Sequence, residues 1–339
     1  SGYKPEQIAA ITFTNKAAKE MRERVRQLLP GQPLESLNVS TFHALGARIL
    51  RLEAKALTLK PRFSIFDAAD SASVLAELAK EADKARLKAL QWRISGWKNA
   101  LVEPNEALSL AEDELGLAAA RLYADYEKAL RAYQAVDFDD LIRLPVRLFE
   151  GEADVLLRWQ GKLQYLLVDE YQDTNRSQYR LMRLIAGARA AFTAVGDDDQ
   201  AIYAWRGADV ENLRILQTDF PQLKVVKLEQ NYRSTTRILK AANALIGNNQ
   251  KLFEKRLWSE HGHGEAVQVN VARDNEQEAE QVVMKLMAHR FEHRGKWGDY
   301  AILYRGNHQA RVFEQQLRNQ KIAYAISGGQ SFFDKAEIK

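Results

Sequence analysis

Two adjacent carboxylates follow an apolar run near the middle of the chain. Asp169 and Glu170 come directly after Leu-Leu-Val and before Tyr-Gln-Asp-Thr, giving the string LLVDEYQDT. Ligands of open α/β sheets bind beyond the carboxyl ends of the strands. A carboxylate there can hold Mg²⁺, and a second beside it can orient or deprotonate an attacking water. The alternative interpretation is a strand end capped by solvated acids.

A second apolar run ends in Asp197 and leads to Gln200 in the string VGDDDQAIYAWRGA. The Gln200 amide carries a donor and an acceptor, which suits contact with a phosphate or a water. Tyr203, Trp205 and Arg206 follow at once, and an aromatic pair beside a guanidinium is typical of a base-stacking surface. The alternatives are an acidic turn and a tryptophan buried in a core or interface.

Three further runs end in hydroxyl, aromatic or basic residues, in the strings TFTNKAA, STFHALG and LEQNYRS. In the first, the helix start and Lys16 can receive a backbone phosphate, although an ordinary capped strand–helix junction explains the same residues. His43 in the second string, taken alone, is a structural hydrogen-bonding residue. In the third, Arg233 can stabilise charge on a transferring phosphoryl group and Tyr232 can stack on a base. A surface arginine paired with Glu229 is the alternative.

Two other groups are weaker. The acids of DFDDLI, from Asp137, suit metal binding but are explained more simply as the cap and first turn of a helix. His289 and His293 are spaced as neighbours on one helix face, but no third ligand is apparent, so a metal site is not predicted there.

Short β-branched and aromatic runs alternate with helical patterns, which predicts a doubly wound α/β fold with a parallel sheet. Between about 67 and 157 only helical spacing is found, with a break at Glu103-Pro104-Asn105, so this part is predicted to be an all-helical insertion. A linker is predicted at 247–250. The predicted strands are 8–14, 37–41, 165–169, 191–196, 225–229, 267–272, 300–304 and 322–327.

Composition narrows the class of protein. The 339 residues are 46% hydrophobic and 28% charged with a net charge of +4, which permits a nucleic-acid partner without requiring one. Because there is no cysteine, a disulfide framework and a thiolate metal site are excluded. No apolar run is long enough to span a bilayer and no signal peptide is present, so a cytoplasmic protein without membrane association is expected.

Taken together and in their order along the chain, TFTNKAA, STFHALG, LLVDEYQDT, VGDDDQAIYAWRGA and LEQNYRS resemble the superfamily I DNA helicases of the UvrD/PcrA/Rep group. DFDDLI, AILYRGNHQARVFE and ISGGQSFFDKAEIK are most similar to the Rep branch, so the resemblance covers nearly the whole chain. It implies an ATP-dependent 3′–5′ translocase on single-stranded DNA that unwinds 3′-tailed or forked duplexes in replication or repair. Replication or repair proteins are then expected partners, and the expected state is a monomer or a DNA-induced dimer.

The resemblance also implies roles for individual residues. Asp169 would bind the Mg²⁺ of ATP and Glu170 would be the general base, while Gln200 and Arg233 would contact the γ-phosphate and Tyr232 would stack on adenine. The residues implied for the DNA path are Phe13, Thr14, Asn15, Lys16, Thr41, Phe42, His43, Tyr203, Trp205 and Arg206.

The implied architecture is a RecA-like doubly wound sheet with an all-helical insertion and part of a second RecA-like domain. The first domain would comprise 1–42 and 154–235, the insertion 43–153, and the second domain 236–339. The chain contains no GxxxxGK[ST] phosphate loop. We therefore expect that loop upstream of Ser1 and the last helicase motifs beyond Lys339, and we expect the chain alone to lack ATPase activity.

Two other functions fit the same residues. One is a single-stranded-DNA-binding or partner-docking module without ATPase activity. The other is the helicase part of a helicase–nuclease, which would carry a nuclease domain far downstream.

Overall fold

The computed structural model describes residues 2–31 and 34–327. The predicted motif ISGGQSFFDKAEIK therefore lies almost entirely outside the described residues. The described chain divides into two compact units. The first comprises the residues up to Asn231 together with Ala241–Trp258, and the second comprises Tyr232–Lys240 together with the residues from Ser259 onward.

The first unit is built on a parallel four-stranded sheet, in which the strand order is β2-β1-β5-β6. A two-residue pair, β3 with β4, lies apart from it. The strands are β1 Ile8–Thr12, β2 Asn38–Thr41, β3 Ser64–Ile65, β4 Ala135–Val136, β5 Tyr165–Val168 and β6 Phe192–Ala194. The strands predicted at 8–14, 37–41, 165–169 and 191–196 are therefore confirmed as β1, β2, β5 and β6. The short strand β4 lies within 67–157, the region that was predicted to be wholly helical.

Helices cover most of the remaining described chain. The helices up to Ile246 are α1 Asn15–Leu28, α2 Phe42–Leu52, α3 Ala68–Ala79, α4 Lys84–Asn99, α5 Pro104–Ser109, α6 Glu114–Tyr133, α7 Asp140–Gly151, α8 Ala153–Lys162, α9 Arg176–Ala186, α10 Glu211–Asp219 and α11 Thr236–Ile246. The second unit adds α12 Asn275–His293 and α13 Ala310–Asn319. Pro104 begins α5, as expected of a residue that lacks the N–H a helix interior needs.

Strand β1 is central because its sequence, IAAIT, tolerates burial on both faces. Ala9 to Thr12 are all buried, and the strand pairs with β2 on one side and β5 on the other. In register, Thr12 lies opposite Thr41 and Ile11 opposite Val168. The polar residues that follow these strands therefore emerge at one edge of the sheet, where ligands of such sheets bind.

The predicted insertion contributes to two hydrophobic cores. Helices α3 to α6 build a core of their own around Leu75, Ile94, Tyr123 and Tyr126. Helices α2 and α7, at the two ends of the predicted insertion, instead pack in the core of the sheet through residues such as Ile49 and Phe149.

The acids of DFDDLI are neither a metal site nor a simple helix cap. Lys98 of α4, fully buried, places Nζ 2.7 Å from Asp137, 3.0 Å from Asp140 and 2.9 Å from Glu127 of α6. Arg143, also buried, donates to Asp140 and to Glu127. Burial alone would lower the pKa of Lys98, but the surrounding carboxylates raise it above its usual value. The acids thus join α4, α6 and α7, a role that only their spatial neighbours reveal.

Four predicted strands do not form among the described residues: 225–229, 267–272, 300–304 and 322–327. An extended segment becomes a strand only when a neighbour takes its hydrogen bonds, and the described chain supplies no ladder to these. Val267, Val269 and Val271 accordingly expose 63%, 88% and 88% of their surface. Val225 to Leu228 line a cavity of about 1180 Å³ that edge strand β6 also lines.

The second unit has a small core of its own. Val283 of α12 packs with Leu317 of α13 and with Ile322, and Trp297 and Ile302 lie against them. Within the described residues, no helix is both long enough and apolar enough to cross a bilayer.

Candidate functional site

The carboxylate pair lies at the end of β5, as the sequence predicts. The Asp169 N–H donates to the Ile11 carbonyl at 2.9 Å, which continues the pairing with β1 for one residue. Glu170 then turns away in the left-handed conformation, with φ 50° and ψ 44°, and its side chain is exposed. A non-glycine residue rarely adopts this conformation, and such residues concentrate at functional sites.

Gln172 connects the two polar strand ends. Its Nε2 donates to Glu170 Oε2 at 2.8 Å, and its Oε1 accepts from the Asp197 N–H at 3.0 Å. Asp197 Oδ2 in turn accepts from Gln200 Nε2 at 2.7 Å. One hydrogen-bonded chain therefore runs from Glu170 to Gln200. Sequence reasoning quoted Gln172 without giving it a role, although its place between Glu170 and Asp173 was the available signal.

The backbone comes close at the same point. A Cβ on Gly196 would lie 3.0 Å from Gln172 Oε1 and 3.3 Å from the Gln172 nitrogen. Such distances are tighter than most real Cβ contacts, so a larger residue at position 196 would have to displace the Gln172 turn by a few tenths of an ångström.

A lysine from far along the chain neutralises part of the acidic loop. Lys255 Nζ contacts Asp197 and Asp198 and lies 3.1 Å from Asp199 Oδ2. Burial alone would raise the pKa of Asp197 and Asp198, but the hydrogen bonds from Lys255 hold both below their usual value. A single lysine 56 residues after the loop carries no local pattern, so sequence analysis missed it.

Two buried polar atoms at this edge of the sheet, Thr12 Oγ1 and Asp173 Oδ1, lack a hydrogen-bond partner among the described groups. Burial, together with the neighbouring Glu170 carboxylate, raises the pKa of Asp173 to about 6. Buried polar atoms are ordinarily satisfied, so orphans mark a place where a ligand or water completes the structure. The oxygen donors of Asp169, Glu170 and Asp173 fit a hard cation such as Mg²⁺.

Helix caps account for the hydroxyls of two other motifs. Thr14 Oγ1 accepts from the Ala17 N–H at 3.0 Å, and Thr41 Oγ1 accepts from the Ala44 N–H at 3.2 Å. Asn15 and Lys16 begin α1 at the exposed end of β1, with Phe13 half-buried beside them. The capped-junction interpretation is therefore correct locally, and it leaves the side chains of Asn15 and Lys16 at the surface.

The aromatic residues after β2 divide into a buried and an accessible one. Phe42 is 2% exposed in the core of the sheet, so its predicted contact with DNA is wrong: it cannot reach a strand from there. His43 instead lies with its ring centroid 4.4 Å from that of Phe138, which is 55% exposed. The accessible aromatic surface therefore pairs His43 with Phe138, a residue that sequence reasoning did not consider for this role.

The burial of His43 should make the free energy of unfolding depend on pH. Burial lowers its pKa to about 4, against 6.5 for an ordinary histidine, so between these values the unfolded state binds more protons. We expect His43 to remove on the order of 1–3 kcal/mol of stability as the pH falls from 7 to 4. Urea denaturation across this range should show a flatter profile for His43→Phe than for the wild type. Parallel profiles would contradict the assignment.

Trp205 is accessible, with 54% of its surface exposed. It lies in a short 3₁₀ turn, Ala204–Arg206, with the Tyr203 ring centroid 6.4 Å away at a tilt of 49°. Gly207 ends the turn with φ 84°, a conformation that glycine adopts without strain. The exposure rejects the core interpretation of Trp205. The Arg206 side chain lies outside the described part of the structure.

Thr174 ties the carboxylate segment to the aromatic loop. It is fully buried, and its carbonyl accepts from the Asp209 N–H and from Asn212 Nδ2, each at 2.9 Å. Its own hydroxyl donates to the Tyr171 carbonyl at 2.8 Å. The segment after Glu170 and the segment after Trp205 therefore share one anchor.

Residues 1–221 match the model of the UvrD/REP helicase N-terminal domain, and residues 226–339 match the UvrD-like helicase C-terminal domain. The chain belongs to the UvrD/REP helicase family. The mixed α/β architecture with a parallel sheet agrees with the RecA-type fold of this family, so the predicted fold class is confirmed.

The chain is also similar in sequence to individual DNA helicases, over nearly its whole length. The chain is 53% identical to the ATP-dependent DNA helicase Rep of Escherichia coli and to that of Salmonella typhimurium, in each case over 100% of this chain and 51% of the relative. It is 42% identical to the ATP-dependent DNA helicase PcrA of Staphylococcus aureus over 99% of this chain and 46% of the relative. The chain thus spans about half the length of these UvrD/REP relatives.

Two predicted nucleotide residues of the UvrD/REP motif QNYRS lie in the second unit. Tyr232 is 75% exposed, and its carbonyl accepts from His261 Nε2 at 2.7 Å, while Arg233 is exposed. The structure therefore brings Asp169, Glu170 and Gln200 together within the first unit. The roles of Tyr232 and Arg233 toward a nucleotide stay predictions.

Proposed function

We propose that the full-length gene product is an ATP-dependent DNA helicase that moves 3′ to 5′ on single-stranded DNA and unwinds 3′-tailed or forked duplexes. The observation that carries the proposal is the hydrogen-bonded chain from Glu170 through Gln172 and Asp197 to Gln200. It joins a carboxylate suited to general-base catalysis to an amide suited to a phosphate, at the edge of the sheet where ligands bind.

Within this proposal the residues of the first unit divide the chemistry of ATP hydrolysis. Asp169 holds Mg²⁺, which would supply charge stabilisation at the phosphates when bound. Glu170 accepts the proton of the attacking water, and Gln172 keeps its carboxylate oriented. Gln200 contacts the γ-phosphate, so a change there reaches Glu170 through Gln172.

Two residues of the QNYRS motif have the remaining nucleotide roles in this proposal. Arg233 stabilises charge on the transferring phosphoryl group, and Tyr232 stacks on adenine. We keep the domain boundaries proposed from the sequence: 1–42 with 154–235, an insertion at 43–153, and 236–339. The proposed location is the cytoplasm, with replication or repair proteins as partners and a monomer or DNA-induced dimer as the working form.

The proposed DNA path uses residues that follow strands β1 and β2 of the first unit or lie in the segment after Gln200. They are Phe13, Thr14, Asn15, Lys16, Thr41, His43, Tyr203, Trp205 and Arg206, with Phe138 added from the structure. Thr174 supports coupling between this path and the nucleotide site because it anchors both segments.

The proposal is tested by ATP turnover and duplex unwinding by the full-length gene product. We expect single-stranded DNA to stimulate hydrolysis, and a 3′-tailed duplex to be unwound in preference to a 5′-tailed or blunt one. Strand binding without turnover would instead favour the single-stranded-DNA-binding module. Unwinding from the 5′ tail would refute the proposed polarity.

Trp205 gives a separate test of the DNA path. Since stacking does not depend on base identity, Trp205→Ala should weaken single-strand affinity by about 1–3 kcal/mol on mixed and homopolymer strands alike. Its effect on the salt dependence should be small, because no phosphate contact is lost. Fluorescence anisotropy across a salt series measures both quantities.

Lys16→Ala is the matched control, because it should reduce the salt slope by about one phosphate contact while leaving base stacking intact. Thermal melts of both variants verify that the fold is retained. Normal strand affinity of folded Trp205→Ala would retire the stacking role.

A further inference from the structure

Two histidines and a glutamate converge on the surface of the second unit. His289 and His293 lie one turn apart near the end of α12, with ring centroids 4.0 Å apart. Glu265, from the segment before the helix, places Oε2 3.9 Å from His289 Nε2 and Oε1 3.7 Å from His293 Nε2. The third ligand that the sequence did not reveal is therefore supplied by a residue 24 positions before the first histidine.

The other nitrogen of each imidazole already has a hydrogen-bonding group. His293 Nδ1 lies 3.0 Å from the His289 carbonyl oxygen. Because a carbonyl only accepts, Nδ1 carries the proton, and Nε2 of the neutral ring presents a lone pair toward Glu265. His289 Nδ1 lies 2.9 Å from Tyr300 Oη, which allows the same tautomer. Metal-binding histidines ordinarily use their second nitrogen in this way.

We propose that this cluster binds a divalent transition-metal ion, Zn²⁺ by preference, through His289 Nε2, His293 Nε2 and a Glu265 carboxylate oxygen. Two imidazoles and one carboxylate are a donor set that suits Zn²⁺. All the ligand atoms lie within 4.8 Å of one another. A tetrahedral ion with bonds of about 2.0–2.1 Å separates its ligands by about 3.3–3.5 Å, so small side-chain movements complete the site.

The proposed site is accessible to solvent, and a metal ion bound there would connect two segments of the second unit. The side chains of Glu265, His289 and His293 are 73%, 44% and 46% exposed, so water or another ligand can take the fourth position. Bound metal would fasten the Glu265 segment to the end of α12. A second group of possible metal ligands among the described residues is Asp197 to Asp199. Its three carboxylates are already paired with the Lys255 ammonium.

Isothermal titration of ZnCl₂ into the protein, prepared without a polyhistidine tag, tests the proposal. We expect one saturable site per chain. His289→Ala, His293→Ala and Glu265→Gln should each weaken it more than tenfold, since each removes one of three ligands. His308→Ala, which changes another exposed histidine of the second unit, should bind like the wild type. Titration with CoCl₂ should produce the visible absorption of a four-coordinate ion.

Circular dichroism of each variant separates loss of a ligand from loss of the fold. The Co²⁺ spectrum of the unaltered protein keeps the test decisive if a variant is unstable. Absence of saturable Zn²⁺ or Co²⁺ binding would overturn the proposal, as would unchanged affinity in both histidine variants. Wild-type affinity in Glu265→Gln would overturn the three-ligand site.

Discussion

Glu170→Gln in the full-length gene product should reduce ATP turnover by about 10²–10⁴-fold while leaving nucleotide binding nearly unchanged. The substitution removes the proposed base but keeps the shape of the side chain. A glutamine amide oxygen can still accept from Gln172 Nε2, which donates to Glu170 Oε2 at 2.8 Å, so the hydrogen-bonded chain to Gln200 is preserved. Steady-state hydrolysis with saturating single-stranded DNA, and equilibrium binding of fluorescent ATP, measure the two effects.

Glu150→Gln provides the control for a lost carboxylate. Glu150 lies on the surface of α7, where it accepts from Arg180 Nε at 2.6 Å, and it has no place in the proposed site. The Glu150→Gln variant should hydrolyse ATP at the wild-type rate. Turnover of Glu170→Gln within threefold of the wild type would remove the general-base assignment.

Lys98→Met should reduce the free energy of unfolding of the first unit by about 3–5 kcal/mol, because buried Asp137 loses its cation while Asp140 and Glu127 keep only Arg143. Asp137, Asp140 and Glu127 all lie within 3.0 Å of Lys98 Nζ. Protonation removes the uncompensated charge, so the deficit should be smaller at pH 5 than at pH 8. Urea denaturation at both values measures it.

Lys128→Met is the matched comparison. Lys128 forms an ion pair with Asp125 at 2.9 Å, but its side chain is 76% exposed. Since water screens such a pair, the expected loss is about 0–1 kcal/mol at either pH. Equal losses for Lys98→Met and Lys128→Met would show that burial does not govern the network.

Local patterns were sufficient to predict the four strands of the first unit's sheet and the polar residues that follow them. The run before Asp169 is apolar on both faces, which favours a buried parallel strand, and Glu170 follows where such strands deliver ligands. Partners distant in the chain were not predictable. Lys255 and Glu265 carry no motif, and only folding brings them to Asp197 and to His293.

Burial was the other quantity that the sequence could not supply. Phe42 directly follows β2 and Trp205 lies in the segment after β6, yet one aromatic side chain is 2% and the other 54% exposed. The valines of 267–271 show a related limit: β propensity is strong there, but a strand also needs a neighbour for its hydrogen bonds.

The buried network around Lys98 has a consequence for how salt titrations of this protein are interpreted. Lys98 and Arg143 are fully shielded from solvent, so dissolved ions screen their attraction to Asp140 and Glu127 far less than they screen surface charges. Contacts between exposed basic residues and DNA phosphates weaken steeply over the same range of ionic strength. Sodium chloride should therefore dissociate the proposed DNA complex well before it loosens the helical core. Dissociation by salt then reports the number of phosphate contacts on a protein whose interior is unchanged.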